Sequence, residues 1–178
     1  MAERRGGGRS TWDEYSPQDY EFPELYVYGK KSERLIWVDV GARRYYRAHR
    51  GGTTPYGLVP LESAIDEVLD VEGGFVRTAF VVLVPWLGWR GMLVDVGTKF
   101  SVIEAWGVEV NPVSLEGARV GDRSILAYVL TGKGETRTLR SGVEGVVVGI
   151  FSDLTVSPPR YLYVVVDEES IVWLEPVD

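Results

Sequence analysis

A chain of 178 residues is close to the usual size of one domain, and its 45% hydrophobic and 25% charged residues are enough to build a buried core. The absence of cysteine excludes disulfides, thiolate nucleophiles, zinc-thiolate sites and iron-sulfur clusters. Because the formal net charge is −7, most of the surface should repel nucleic acid, and any such binding would need a local basic patch.

Residues that heat damages are scarce in this chain. Gln18 is its only glutamine and Asn111 its only asparagine. This depletion is typical of proteins from hot environments and predicts a thermophilic source. No apolar stretch reaches the length of a membrane span, so we expect a cytoplasmic protein without membrane association.

The N-terminal segments indicate a flexible arm followed by strands. Residues 1–17 contain three consecutive glycines and no periodic apolar pattern, which predicts a flexible arm. Leu25–Tyr28 and Leu35–Val40 are rich in β-branched and aromatic residues and are separated by a polar turn, which predicts a hairpin. His49–Gly57 is rich in turn-forming residues and predicts an exposed loop.

One helix is predicted, at about residues 61–70. Pro60 is suited to a helix start, and Gly73–Gly74 is suited to the end of the pattern. The apolar residues between them repeat at spacings of three and four: Leu61, Ala64, Ile65, Val68 and Leu69.

From Phe75 to the C-terminus the sequence is typical of short strands separated by glycines. Such spacing predicts a barrel or a sandwich. Tyr161–Val166 shows no alternation of polar and apolar residues, so we expect some strands to be covered on both faces or to lie between lobes.

The order of segments over residues 108–150 points to a particular small barrel. A strand from Val108 is followed by the turn Glu116–Asp122, a second strand, a hairpin with Lys133 at its tip, and Ser141–Gly145 ahead of a valine-rich strand. This order resembles the biotinyl and lipoyl carrier domains, which use a Val-Gly-Asp turn, a lysine-bearing hairpin and a Val-Asp-Gly-Val-Val step. The resemblance implies a barrel-sandwich hybrid, and the whole chain also resembles an uncharacterised archaeal family with such a barrel.

The predicted architecture is therefore mostly β, with one short helix and three parts. These are the flexible arm at 1–17, a strand-rich lobe at 18–97 that includes the helix, and a biotinyl/lipoyl-like hybrid barrel at 98–178.

In a carrier domain the exposed lysine of the hairpin is the site of modification, which makes Lys133 the modification candidate. Counting back from the glycine of the Val-Asp-Gly step, however, the acceptor position falls on Gly134, and glycines flank the lysine on both sides. Covalent biotin or lipoate at Lys133 is therefore not expected, and no cofactor is predicted. A charged hairpin tip that discourages edge pairing is the favoured interpretation.

The densest basic stretch, residues 42–50, is the candidate for binding nucleic acid or another anion. Arginine and tyrosine together can contact phosphate and stack on bases. In a strand, however, Arg43, Tyr45 and Arg47 would share one face and Arg44 and Tyr46 the other, which splits the charge. A solvated edge strand is favoured over binding, and the candidate residues are Arg43, Arg44, Tyr46, Arg47 and Arg50.

Trp86 and Trp89 lie in one predicted turn and are the candidates for a partner surface. Such tryptophans more often cap the end of a barrel, but if exposed together they would mark a site for a partner or ligand. A protein partner of unknown identity is expected, and a homodimer stays open.

Taken together, the sequence favours a non-enzymatic binding or assembly module and gives no catalytic residue and no metal site. His49 is the sole histidine, which removes any site that needs two. A carrier-type domain modified at Lys133 and a single-stranded nucleic-acid binder acting through residues 43–50 are the two alternatives.

Overall fold

The computed structural model describes residues 22–153 and 155–177, without the side chains of residues 62 and 63. These described ranges are mostly β with one short helix, which confirms the predicted fold class at that level. The predicted arm at residues 1–17 lies outside the described residues. Within the described ranges, no helix is long and apolar enough to cross a membrane.

The elements follow one another as short strands with a few helical turns. In chain order they are β1 (Glu24–Tyr28), β2 (Leu35–Asp39), β3 (Arg44–Tyr46), β4 (Thr54–Val59), α1 (Leu61–Val68), β5 (Leu69–Asp70), β6 (Phe75–Val76), β7 (Phe80–Val84), a 3₁₀ turn (Pro85–Leu87), β8 (Arg90–Val94), β9 (Ser101–Trp106), β10 (Glu109–Pro112), β11 (Arg119–Val120), β12 (Ile125–Leu130), β13 (Thr136–Arg140), β14 (Gly145–Asp153), β15 (Arg160–Val166), a second 3₁₀ turn (Glu168–Ser170) and β16 (Ile171–Val177).

Seven strands close into a barrel in the order β1-β4-β2-β3-β16-β8-β7. The last strand, β16, pairs antiparallel with β8 and parallel with β3. The C-terminal strand is thus built into the barrel formed by the N-terminal lobe. The division of the chain at residue 98 stays a prediction. Strand β16 follows that boundary in sequence, but it is hydrogen-bonded to β3 and β8, which precede it.

Strand β4 lies between β1 and β2, so the predicted hairpin of these two strands is wrong. Gly57 sits in the middle of β4, and a Cβ atom there would lie 2.2 Å from the carbonyl oxygen of Lys30. The glycine is therefore required by close approach of backbone rather than by a turn. The loop predicted over His49–Gly57 ends earlier, because β4 begins at Thr54.

The barrel interior is filled by side chains that alternate with outward-facing residues along each strand. In β1, Tyr26 points inward, whereas Leu25 and Val27 belong to the core outside the barrel. The buried interior residues are Tyr26, Ile36, Val38, Tyr45, Tyr56, Ala79, Val81, Leu83, Leu93 and Leu174.

Helix α1 packs on the outside of the barrel through Ala64 and Val68, which are buried. It ends at Val68, two residues before the predicted end, because the chain extends into β5. Gly73–Gly74 forms the turn between β5 and β6, where the Gly73 amide donates to Asp70 Oδ1 at 2.8 Å and Gly74 has φ of 75°.

Two further sheets, here called the C-terminal sheets, have the orders β10-β12-β13 and β11-β14-β15-β9. One face of β14 and β15 contributes Val146, Val148 and Val164 to the core shared with the barrel and α1. The other face contributes Val147 and Val165 to a core shared with the three-stranded sheet. The prediction that strands near Tyr161–Val166 are covered on both faces is confirmed. The likeness of the C-terminal sheets to a hybrid barrel stays a prediction.

The turn at Pro85–Leu87 connects β7 and β8 of the barrel and contacts the segment that precedes β11 in the C-terminal sheets. The Trp86 indole N–H donates to the carbonyl oxygen of Glu116 at 3.1 Å. A Cβ atom on Gly117, which has φ of 87°, would lie 2.5 Å from Leu87 Cδ1. Only glycine fits this contact without displacing the leucine.

Candidate functional site

A cleft of about 690 Å³ opens at one end of the barrel, where β1, β2 and β8 begin and β3, β4 and β7 end. We call it the barrel-mouth cleft. Most of the described residues that line it are apolar, including Leu25, Leu58, Leu61 and Trp89. Its described charged residues are Glu24, Arg34 and Arg47. A ligand-sized, mostly apolar cleft with a few converging polar groups is the usual form of a small-molecule site.

The charged groups of the cleft form one ion network centred on Glu24. Arg34 Nη2 lies 2.6 Å from Glu24 Oε2, and Arg47 Nη1 lies 3.2 Å from Glu24 Oε1. The Glu24 side chain is 16% exposed, against 58% for Arg34 and 45% for Arg47. The carboxylate is therefore mostly covered, while both guanidinium groups remain accessible from the cleft.

A buried phenol completes this network from inside the barrel. Arg47 Nη1 donates to the Tyr26 hydroxyl at 3.1 Å, and that hydroxyl donates to Glu24 Oε1 at 3.1 Å. Burial, and then the nearby Glu24 carboxylate, raise the pKa of Tyr26. Partial burial opposes the charge on Arg47, but Tyr26 and Glu24 outweigh it and raise the pKa of Arg47 above its ordinary value. Arg47 is thus a permanent cation held by two fixed partners.

Trp89 forms part of the cleft wall and has an unusual backbone. Its φ is 64°, in the left-handed region that costs a residue with a large side chain about 1–3 kcal/mol. The Trp89 amide donates to the Val84 carbonyl at 3.0 Å, and the Tyr45 hydroxyl donates to the Trp89 carbonyl at 2.6 Å. Burial raises the pKa of Tyr45 to about 12, so its hydroxyl stays a donor at neutral pH. Strained residues of this kind cluster at binding and catalytic sites.

The structure brings together residues from two surfaces that the sequence analysis predicted separately. Arg47, from the predicted nucleic-acid candidate, has its guanidinium carbon 5.5 Å from the centre of the Trp89 ring, which comes from the predicted partner surface. This spacing is that of a cation–π contact. The aromatic wall and the charged edge of the cleft therefore support each other.

The other residues of the basic stretch lie elsewhere. Arg44 is exposed on the outer face of β3, and Arg43 is exposed in the turn before it, with φ of 54°. The guanidinium carbon of Arg50 lies 4.8 Å from the centre of the Tyr46 ring. Strand β3 covers only Arg44–Tyr46, so Arg43 and Arg47 lie outside it and do not share a strand face with Tyr45, which points into the barrel. Binding of single-stranded nucleic acid by Arg43, Arg44, Tyr46 and Arg50 stays a prediction, and retention on such RNA that weakens steeply with salt would be its signature.

Trp86 is 37% exposed, and its indole N–H bonds to Glu116, so it lies between the barrel and the C-terminal sheets rather than beside Trp89 in the cleft. A partner surface that includes both tryptophans stays a prediction.

Lys133 is exposed at the tip of the hairpin between β12 and β13. The Gly134 amide donates to the Thr131 carbonyl at 3.0 Å, and the Thr131 amide donates to the Glu135 carbonyl at 2.8 Å. Gly134 has φ of 79°, so it supplies the left-handed residue of this turn. The flanking glycine therefore closes the tip into a defined turn that holds the lysine away from the sheet.

Glu24, Tyr26 and Arg34 are site residues that the sequence analysis missed. Glu24 and Tyr26 lie in β1 and Arg34 lies just before β2, and nothing in a single sequence indicates that these points meet Arg47 and Trp89. The sequence shows only that Glu24 and Arg34, which have opposite charges, each stand beside an apolar stretch. It is closure of the barrel that brings these residues together.

No group of three or more His, Asp or Glu side chains in the described ranges is placed to hold a metal ion.

The described structure is that of a mostly β protein, with a closed seven-stranded barrel that bears a cleft at one end and packs against two further sheets. The chain belongs to the family described as "Uncharacterized protein conserved in archaea (DUF2118)", which matches residues 20–168. This confirms the predicted membership of an uncharacterised archaeal family. A comparison with curated proteins found no match.

Proposed function

We propose that the protein is a non-enzymatic binding module that holds a small molecule in the barrel-mouth cleft. The observation that carries the proposal is an apolar cleft of about 690 Å³ at whose edge two accessible arginines are fixed by one carboxylate. Volumes of this size are typical of sites for small organic ligands.

The hydrogen bonding of the charged groups supports binding rather than catalysis. Both carboxylate oxygens of Glu24 accept from arginines, at 2.6 and 3.2 Å, so this group is not poised to take a proton from a substrate. Arginine does not lose its proton in proteins. The charged groups of the described lining are thus suited to hold and orient a ligand.

The proposal is tested by calorimetric titration with six probes. Two apolar bodies, decyl and 2-naphthylmethyl, each carry a carboxylate, a hydroxyl or an ammonium group, so body and head vary independently. At least one probe should bind at a single site. Leu58→Trp and Leu61→Trp each place an indole in the cleft and should abolish that binding. Val108→Trp, at a position 62% exposed in the connection between β9 and β10, is the matched control and should bind as the native protein does. Failure of all six probes to bind would end the proposal.

A second candidate function is that of a carrier modified at Lys133. The observation in its favour is the closed turn that holds Lys133 outward, within reach of a modifying enzyme. It is tested by intact mass measurement of the protein from its native cells. A mass increase that is absent from Lys133→Arg but present in Lys31→Arg would support a carrier. An unmodified mass would remove this candidate.

A further inference from the structure

We infer that the ligand of the barrel-mouth cleft is an organic monoanion: an apolar body that carries one carboxylate-type head. This inference rests on the proposed function and specifies the ligand of the same site. The head would contact Arg34 and Arg47, and the body would lie along the apolar wall.

The charge of the described cleft lining favours an anion. Two guanidinium groups face one carboxylate there, which leaves a local charge of about +1 on a chain whose formal net charge is −7. The general field of the protein repels anions, so attraction at the cleft has to come from these two side chains. Because the local excess is a single charge, a monoanion is matched and a dianion is not.

The two arginines have donors to spare for such a head. A guanidinium group carries five N–H donors. The hydrogen bonds to Glu24 and Tyr26 engage Nη2 of Arg34 and Nη1 of Arg47, which leaves further N–H groups of both side chains for a ligand. Glu24 also shows that the two guanidinium groups are spaced to meet the two oxygens of one carboxylate. A ligand carboxylate on the open side can use the same bidentate chemistry.

The apolar part of the ligand is indicated by what surrounds Arg47. Its guanidinium group is held over the Trp89 ring, and the Tyr26 hydroxyl fixes its orientation, so the cation is already in place before a ligand arrives. Leu58 and Leu61 line the same cleft. A head at Arg47 therefore places the adjoining body against apolar side chains, and such preorganisation strengthens binding.

The test compares heads on a fixed body. The carboxylate probes, undecanoate and 2-naphthylacetate, should bind about tenfold more tightly than the matching alcohols, because a charge-assisted hydrogen bond is worth about that factor in affinity. The ammonium probes should bind most weakly. Decyl phosphate, a dianion above its second pKa, should bind more weakly than undecanoate at pH 8.

Arginine variants identify the groups responsible. Arg34→Gln, at an exposed position, and Arg47→Gln should each remove about tenfold of the carboxylate affinity. Each should reduce alcohol affinity much less than carboxylate affinity, because an alcohol has no charge to pair with the guanidinium group. Arg137→Gln, which changes an exposed arginine on β13, is the matched control and should alter neither.

The outcomes separate the two proposals. Equal binding of carboxylate and alcohol, or tightest binding of the ammonium probes, would overturn the monoanion inference and leave the proposed function standing. If none of the six probes binds, the proposed function itself fails. Loss of carboxylate affinity in Arg34→Gln with native circular dichroism would support the inference even if Arg47→Gln does not fold.

Discussion

Trp89 keeps a left-handed backbone at the barrel mouth with the help of a buried phenol. The Tyr45 hydroxyl donates to the Trp89 carbonyl at 2.6 Å, and Tyr45 is 1% exposed. Loss of this hydroxyl would leave the carbonyl without that donor and the strained conformation less supported.

Tyr45→Phe should therefore lower the free energy of unfolding by about 1 kcal/mol. It should also weaken probe binding in the cleft, because Trp89 would lose its fixed position. Urea unfolding and calorimetric titration measure the two effects. Tyr128→Phe changes a phenol that is 40% exposed and is the control. Equal stability and equal binding in Tyr45→Phe and the native protein would contradict this role for the hydroxyl.

Glu116 is a buried carboxyl, 7% exposed, and burial raises its pKa to about 7. Its ordinary pKa of 4.5 applies in the unfolded chain. Between these values the folded state binds more protons, so the free energy of unfolding falls as pH rises from about 4.5 to about 7 and stays low above that. The loss corresponds to about 3 kcal/mol.

Glu116→Gln should remove this dependence because the amide stays neutral. The variant should be more stable than the native protein at pH 8 and similar to it at pH 5. Denaturant unfolding at several pH values measures the slope, with Glu109→Gln, at an exposed position, as the control. An unchanged slope in Glu116→Gln would show that another group is responsible.

Strand β4 illustrates which secondary structure elements a local sequence pattern can predict and which it cannot. Alternation, β-branched content and helical spacing predicted the β-rich fold and a helix at about 61–70. The hairpin of β1 and β2 was wrong because Pro55 and Gly57 are typical of loops. Their real role depends on a neighbouring strand at backbone distance, and a local pattern does not contain that information.

Gly57→Ala should lower the free energy of unfolding by about 2 kcal/mol, since its Cβ atom would lie 2.2 Å from the Lys30 carbonyl oxygen and the backbone must shift. Gly51→Ala is the matched control, because a Cβ atom at Gly51 has no atom within 4 Å. Thermal unfolding of the two variants compares them directly. A loss of stability in Gly51→Ala as large as that in Gly57→Ala would contradict the contact.

The sequence analysis singled out two residues of the candidate site and missed the others, because the others are brought to the site only by tertiary structure. Arg47 and Trp89 were singled out by residue type, because arginine near tyrosine and tryptophan in a turn are unusual in themselves. Glu24 and Arg34 carry no such signal. Their importance follows only from closure of the barrel, which places the starts of β1 and β2 beside the end of β3.

Across the whole molecule, one layer of core joins the barrel to the C-terminal sheets. Phe80 and Val82 on β7 pack in the same cluster as Val148 on β14 and Val164 on β15. In addition, β16 returns to the barrel after the C-terminal sheets are complete. Neither part can therefore lose its structure without exposing apolar surface of the other.

The protein should consequently unfold in a single transition. Far-ultraviolet circular dichroism and tryptophan fluorescence should give the same midpoint in guanidinium chloride. Val148→Ala should shift both midpoints together, because the residue is buried in the shared layer. Two separate transitions would contradict the shared core.

The scarcity of Asn and Gln predicts a thermophilic source, which stays a prediction.

The central claim, that the barrel-mouth cleft holds a small organic anion, is tested most directly by two-dimensional nuclear magnetic resonance of the tryptophan indole N–H groups during titration with 2-naphthylacetate. Trp89→Phe assigns the resonance of Trp89, and Trp106, which is 55% exposed on the C-terminal sheets, serves as the internal control. The Trp89 signal should move and saturate while the Trp106 signal stays in place. A Trp89 signal that does not move at saturating probe, or a Trp106 signal that moves instead, would contradict the claim.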